Sequence, residues 1–247
     1  MAEKRKILVI DDEEVFRRTL KEDLAYCGYY CKTAESPSEG MRLLKTDHFD
    51  LIFLDIMMEP LDGWDTLDLI KNLTHGNNTP VIMISSKKMD LSEVIRYGEQ
   101  LYGYMKKPMT REEICAGVYS FFRWFDSLHE FTNKFVAESI PEEDIALWLD
   151  LSRQVRVITD LRAEASLVFL PDINRTEEEC KEHLHDQVDK MLAEKRSKLE
   201  ELAQKYPKIG NQLVKTPCNN TPIETGKTIN NKLVFTKNNF FAVLEEM

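Results

Sequence analysis

The sequence predicts an α/β fold: a parallel five-stranded sheet in the first half, followed by a mainly α-helical region. Three observations carry that expectation. Five short apolar runs alternate with five helical patterns up to about residue 122, four of those runs end in a small polar or charged cluster, and the second half shows helical periodicity almost throughout.

Taken in order, Lys6–Ile10 reads as a strand and Glu14–Tyr26 as a helix, with Val15, Phe16, Leu20 and Leu24 at helical spacing. Tyr29–Thr33 is a weaker strand. Ser36-Pro37-Ser38-Glu39 then opens a helix, with Ser36 as N-cap, Pro37 in the first turn and Glu39 three residues on, so that Met41, Leu43 and Leu44 face the sheet. Asp50–Leu54 continues without a polar break, as a strand covered on both faces does. Asp62-Gly63 precedes a helix over Trp64–Leu73, Pro80–Ile84 is the fourth strand, Leu91–Tyr97 a short helix and Leu101–Met105 the fifth strand. Thr110 and Glu113 form a capping box for the helix that follows. Strands that alternate with helices join by right-handed crossovers, which makes the sheet parallel and puts helices on both of its faces.

The last of these helices runs on. Ile114, Val118, Phe121, Phe125, Leu128, Thr132 and Phe135 advance by alternating steps of four and three, a heptad-like seam that continues to about Glu138 and needs a partner, from the same chain or from a second copy. Pro141-Glu142-Glu143-Asp144 starts a further helix through Ile145, Trp148, Leu149, Val155, Ile158, Leu161 and Ala165, and Pro171-Asp172 breaks it. Thr176-Glu177-Glu178-Glu179 is a third capping box. It opens a helix to about Tyr206 with Leu184, Val188, Met191, Leu199 and Leu202 on one stripe. Beyond Gly210 the chain is rich in turn formers, with short apolar pieces at Lys232–Phe235 and Phe240–Leu244, and reads as a tail or a small hairpin. The expected organisation is therefore 1–122, 123–210 and 211–247.

Composition excludes some classes. A formal charge of −10 and a pI near 5.1, with the acidic excess spread over both halves, argue against binding a polyanion, so nucleic acid is an unexpected partner. No winged-helix or helix-turn-helix pattern, Gly-rich nucleotide loop or kinase domain is legible. No run approaches the roughly 18 apolar residues that span a bilayer, and MAEKRKILVI leads straight into a strand, so no membrane insertion is expected and the cytoplasm is the expected location. The five cysteines, Cys27, Cys31, Cys115, Cys180 and Cys218, contain no CxxC pair and no His partner at ligand spacing. Reduced thiols and no zinc site are the expectation.

The polar residues after the apolar runs are Asp11 and Asp12, Asp55, Ser85, and Lys106-Lys107-Pro108. Ligands of an open parallel sheet gather at the carboxyl ends of its strands, so these residues should meet in one cleft. Three carboxylates, a hydroxyl and an ammonium can hold Mg²⁺, neutralise phosphoryl oxygens and leave one carboxylate as nucleophile.

With these residues in this order, the stretch from about Lys4 to Phe122 resembles the response-regulator receiver domain of two-component signalling, a flavodoxin-like (βα)5 fold. The resemblance implies that Asp55 is the phosphoacceptor, Asp12 a direct Mg²⁺ ligand, Asp11 a ligand largely through water, and the main-chain carbonyl of Met57 a third ligand beside Asp55. It implies that Ser85 and Lys107 each hold a phosphoryl oxygen and that Tyr104 is an aromatic switch whose ring turns inward when Ser85 is drawn to the phosphoryl group. Lys107 is chosen over Lys106 because it directly precedes Pro108. One departure is visible in Asp55-Ile56-Met57-Met58-Glu59-Pro60-Leu61-Asp62-Gly63: Pro60 comes one place later than in the family, while Gly63 keeps its distance. The implied partner is a sensor histidine kinase, the implied output a protein contact or self-association as a homodimer through the helical region, and the implied catalysis limited to the chain's own phosphorylation and dephosphorylation. Two other readings stay open: a transcriptional regulator with an unrecognised DNA-binding part, and a phosphorelay component using His185, which precedes Asp186, with His129-Glu130 a poorer candidate.

Overall fold

A computed structural model describes residues 4–73, 76–165 and 177–207. Along the chain come β1 (Lys6–Ile10), α1 (Glu14–Tyr26), β2 (Tyr30–Ala34), α2 (Pro37–Thr46), β3 (Leu51–Asp55), α3 (Gly63–Lys71), β4 (Val81–Ser85), α4 (Leu91–Tyr97), β5 (Gly103–Lys106), α5 (Arg111–Ala137), α6 (Glu142–Glu164) and α7 (Glu177–Lys205). The strands pair in parallel in the order β2-β1-β3-β4-β5. That order changes direction between β1 and β3, which leaves a crevice at their carboxyl ends. The unbroken apolar runs occupy the middle of the sheet, where Ile7–Ile10, Leu51–Leu54 and Val81–Ile84 are buried throughout. The weaker run, β2, is an edge strand in which only Cys31 and Ala34 are buried.

Side chains fix the helix starts. Ser36 accepts the Glu39 amide at 3.3 Å, and the Glu39 carboxylate reaches back to the Glu35 amide at 3.0 Å, one residue earlier than a simple capping box. At α5 the box is as expected: Thr110 accepts the Glu113 amide at 3.2 Å and Glu113 accepts the Thr110 amide at 2.8 Å. Asp90 and Glu93 form a further box at α4 that sequence reading did not anticipate. Asp62 caps α3, and the next residue has to be glycine. A Cβ at Gly63 would lie 2.2 Å from the main-chain oxygen of Asp55, so a side chain there would push α3 off the end of β3.

One expectation fails. Cys27, at the end of α1, and Cys115, in α5, form a disulfide across 88 residues with their Cα atoms 5.5 Å apart, so not all five thiols are free. Spacing along the chain could not show this, because it is the fold that brings the two helices side by side. Of the apolar residues at helical spacing in α1, Leu20 and Leu24 are buried, whereas Val15 is 62% exposed and lines a cleft with Phe16.

The chain gathers into two compact units. The first holds residues up to Lys87 and Leu101–Ala116, and so contains the sheet, α1–α3 and the start of α5. The second holds Lys88–Gln100 and the chain from Gly117 onward, and so contains α4, the rest of α5, α6 and α7. α6 is buried on all sides over Leu151–Val155 and again at Val157, Ile158 and Leu161, as befits the central element of a bundle. Trp148 sets its ring edge against Phe135, with centroids 4.8 Å apart, so at this point the α5 seam finds its partner within the chain. Arg156 lies over the Trp124 ring at 4.4 Å, and Arg162 pairs with Asp189 of α7 at 2.6 Å. The box at Thr176 and the tail expected over 211–247 lie outside the described residues. Among the described residues no helix is long and apolar enough to cross a membrane.

Candidate functional site

The strand ends converge. Asp11 follows β1, Asp55 ends β3, Ser85 ends β4, and Lys107 follows β5. The register sets them at one level: Ile10 pairs with Leu54, Asp55 with Ile84, and Ser85 with Lys106. Each of Asp11, Asp12 and Asp55 offers a carboxylate oxygen within 4.8 Å of the others. Asp11 is fully buried and Asp55 nearly so, whereas Asp12 is exposed.

Lys107 stands among them. Its Nζ donates to Asp11 Oδ2 at 2.6 Å and lies 3.3 Å from Asp55 Oδ2 and 4.1 Å from the centroid of the Phe16 ring. The other oxygen of Asp11 accepts the Glu13 amide at 2.9 Å, and Arg17 donates to the Asp11 carbonyl at 2.7 Å. Asp55 is less well provided for: its Oδ1 is buried without a hydrogen-bond partner. Burial pushes its carboxyl up to about 6, against the pull of the Lys107 ammonium and with the help of the Asp11 charge. A buried acid with one unsatisfied oxygen, between a second acid and an ammonium, is suited to receive a cation or an electrophile.

Ser85 is fully buried and its Oγ accepts the Lys87 amide at 3.1 Å, while Ser86 lines the cleft. The Lys107 amide donates to the Ser85 carbonyl at 2.8 Å, which ties β4 to the residue bearing the ammonium. The Tyr104 ring is buried and its hydroxyl donates to the Lys87 carbonyl. The Met57 side chain is exposed and Lys106 is half-buried on the β5 edge. Between the strand ends and the first turns of α1 lies an open cleft of about 480 Å³, lined among others by Asp12, Phe16, Asp55, Met57, Lys107 and Pro108. Phe16 and Arg17 escaped sequence reading because a helix pattern does not say which apolar or basic residue faces a cleft. The two histidines weighed in the sequence belong to the second unit. His129 bonds the Phe125 carbonyl at 2.9 Å through Nδ1, and His185 is half-buried with its Nδ1 lacking a partner.

Residues 7–119 match the model of the response regulator receiver domain. The chain is 36% identical to protein PilG of Pseudomonas aeruginosa over 115 residues, which is 46% of this chain and 84% of that protein. The chain belongs to the response-regulator receiver family. Its membership makes it a component of two-component signalling, and its (βα)5 sheet order is the one the family implies. It is also 34% identical to the probable transcriptional regulator ycf27 of Porphyridium aerugineum, over 53% of each chain, and 32% identical to the alkaline phosphatase synthesis transcriptional regulatory protein PhoP of Bacillus subtilis, over 48% of this chain and 49% of that one. The chain thus spans about half the length of these two relatives. Among solved structures, the N-terminal domain of a response regulator receiver protein from Methanoculleus marisnigri is 35% identical, covering 46% of this chain and 92% of that one with a TM-score of 0.41. Response regulators of this kind are generally not enzymes in the ordinary sense, and receiver domains interact with histidine kinases.

Proposed function

We propose that the protein accepts a phosphoryl group on Asp55 from the phosphohistidine of a sensor kinase and converts it into a change of protein contact made by its helical region. The observation that carries this reading is the Asp55 carboxyl itself, nearly buried, raised to about 6, with one oxygen unpartnered and an ammonium 3.3 Å from the other. In the transfer an Asp55 oxygen attacks phosphorus, an O–P bond forms as the P–N bond breaks, and the imidazole leaves with a proton.

The three carboxylates fit Mg²⁺, a hard cation that prefers oxygen ligands, and the unpartnered Asp55 oxygen supports the fit. Asp12 and Asp55 would hold it directly with the Met57 carbonyl, and Asp11 largely through water; when bound, Mg²⁺ neutralises charge on the transferring oxygens. Lys107 swings from bridging Asp11 and Asp55 to pair with one phosphoryl oxygen, and the Ser85 hydroxyl donates to another. Tyr104, whose ring is already buried, packs behind the moved Ser85 segment and is the switch residue. The protein catalyses no reaction but its own loading and unloading.

Output by protein contact, as a homodimer or with a separate target, is favoured over DNA binding. The matches to the relatives called transcriptional regulators cover about half of this chain, and the described residues beyond them are largely helical, in an acidic half of the sequence. In Mg²⁺ and a small acyl phosphate, the wild type is expected to take up one phosphoryl group per chain by intact mass and Asp55→Asn none. Full labelling of Asp55→Asn would overturn the assignment, and label stable to base but not to acid would move it to His185.

A further inference from the structure

Cys27 and Cys115 take no part in the chemistry of the acidic cleft, and their bond stands in a setting suited to exchange with other thiols. Both residues are half-buried and so lie at the margin of the core. Cys31 is the contrast: it is buried in β2, burial pushes its thiol up to about 12, and it is inert as a nucleophile. Cys27 caps the carboxyl end of α1, where its amide donates to the Asp23 carbonyl at 3.0 Å. Gly28, with a φ of 91°, then turns the chain away. A Cβ on Gly28 would meet nothing within 4 Å, and Tyr26 on the other side is exposed, so the approach to Cys27 is open. Cys115 lies inside α5 between the buried Ile114 and the half-buried Ala116.

One turn before each cysteine stands one partner of an ion pair. Asp23 precedes Cys27 by four residues, Arg111 precedes Cys115 by four, and the two meet at 2.6 Å. The Arg111 guanidinium also lies over the Tyr26 ring, 4.8 Å from its centroid. Leu20, Asp23 and Leu24 of α1 and Ile114 of α5 are buried. The sheet unit therefore ties α1 and α5 into place by contacts that do not need the sulfur bond.

We propose that the Cys27–Cys115 bond is a reversible thiol-exchange site whose substrate is a low-molecular-weight thiol of the glutathione class, giving the sheet unit a stapled and an open covalent form. In the opening step the external thiolate attacks the Cys27 sulfur, the Cys27–Cys115 bond breaks, and Cys115 leaves as a thiolate that takes up a proton. A second external thiolate attacks the outer sulfur of the mixed disulfide and frees Cys27. Two external thiols are thus oxidised to one disulfide while the protein disulfide is reduced to two thiols, and the external disulfide drives the reverse. Two features set the order of attack. Cys27 has the open approach, and a thiolate leaving on Cys115 sits one turn from the Arg111 guanidinium, whereas one on Cys27 would meet the carbonyl end of α1 and the Asp23 carboxylate. The ion pair and the buried apolar residues keep both forms folded. The exchange does not depend on the reading of Asp55: it changes the resistance of the unit to unfolding and leaves phosphoryl uptake alone.

The test keeps the full chain in native buffer and steps it through mixtures of reduced and oxidised glutathione, followed by an acid quench, maleimide capping and peptide mapping by mass. The bond is expected to open as reduced glutathione is raised and to close again with glutathione disulfide. Brief exposure should leave glutathione on Cys27 and maleimide on Cys115. In denaturant titrations the unfolding constant of the open form should be about 30- to 900-fold larger, the factor that matches the usual contribution of a disulfide. Opening only after denaturant is added would make the bond a fixed one and overturn the exchange, and thiols that stay free at every ratio would overturn the bond itself. Glutathione on Cys115 with Cys27 capped would overturn the order of attack. Equal unfolding constants would overturn the effect on stability, and a different rate of Asp55 labelling in the two forms would overturn the separation from the cleft.

Discussion

Lys107 and Lys195 have the same side-chain exposure, 11%, and each stands in hydrogen-bonding contact with a carboxylate. Their surroundings differ in charge balance. Lys107 faces two carboxylates that are 0% and 4% exposed, and one oxygen of the second has no partner. Among the described residues Lys195 pairs with one carboxylate, Glu99, that is 49% exposed and well solvated. The cleft therefore holds more negative charge than its own cation can neutralise, whereas the pair in the helical unit is balanced. An excess of buried charge is costly to keep, and a cationic ligand would offset it. A balanced pair requires no ligand and serves to fix position.

Removing each lysine is the sharpest way to break the comparison, and Lys107→Met should have the largest effect. Phosphodonor labelling should slow by about 10²–10³, the loss typical of one preorganised charge stabiliser. Stability without divalent cation should fall by about 3–5 kcal/mol, because Asp11 and Asp55 are left buried without a countercharge, and Mg²⁺ should restore much of it. Denaturant titrations with and without Mg²⁺ check this. Equal stability in both conditions would mean that the two carboxylates are not charged in the folded protein.

The Cys27–Cys115 bond poses the same question of tie against function within the sheet unit. It lies one turn from the Asp23–Arg111 ion pair, whose N–O distance is 2.6 Å, so α1 and α5 are joined by two independent links. Cys115→Ser should lose about 2–4 kcal/mol, the usual yield of a disulfide that closes a long loop. Labelling of Asp55 should be unchanged. Unaltered stability in non-reducing buffer would show that the two thiols are not joined in solution.

Asp55 sharpens the comparison through pH. Its carboxyl titrates near 6 in the folded protein, above the ordinary value of 3.8, so the folded state binds more protons than the unfolded one between those limits. Without divalent cation, stability should therefore fall as pH rises from about 4 to about 6 and then level off. Since one pKa unit corresponds to about 1.4 kcal/mol, the fall should be about 1–3 kcal/mol. Asp55→Asn should abolish it and be the more stable protein at pH 7. A pH profile identical to that of wild type would place the charge imbalance elsewhere in the cleft.

The cleft was legible in the sequence and the helical unit's design was not, for a physical reason. A strand that ends at a ligand site is marked locally, by an apolar run stopped by Asp55 or by Lys107-Pro108, and the parallel topology then brings the marked ends together. The capping boxes at Ser36 and Thr110 are local in the same way. The spacing of Leu91, Val94 and Tyr97 says that α4 has an apolar face but not what covers it. Likewise Arg153 and Gln154 look like surface residues in the sequence and are buried in the fold, and Cys27 finds Cys115 across 88 residues. Partners far apart in the chain leave no mark on local pattern, except where chemistry demands a particular residue, as the close approach of α3 to Asp55 demands Gly63.

Lys195→Met should have the smallest effect. Methionine keeps most of the lysine's volume and its apolar stem, and Glu99, half exposed, can be solvated once its partner is gone. The loss should stay below about 1 kcal/mol, as for pairs with one foot in water. Labelling of Asp55 should keep its wild-type rate. The contrast with Lys107→Met would then come from the partners, because the two lysines are equally buried. A loss as large as that of Lys107→Met would mean that Lys195 neutralises more than Glu99, and the helical unit would have to be counted as a second charged site.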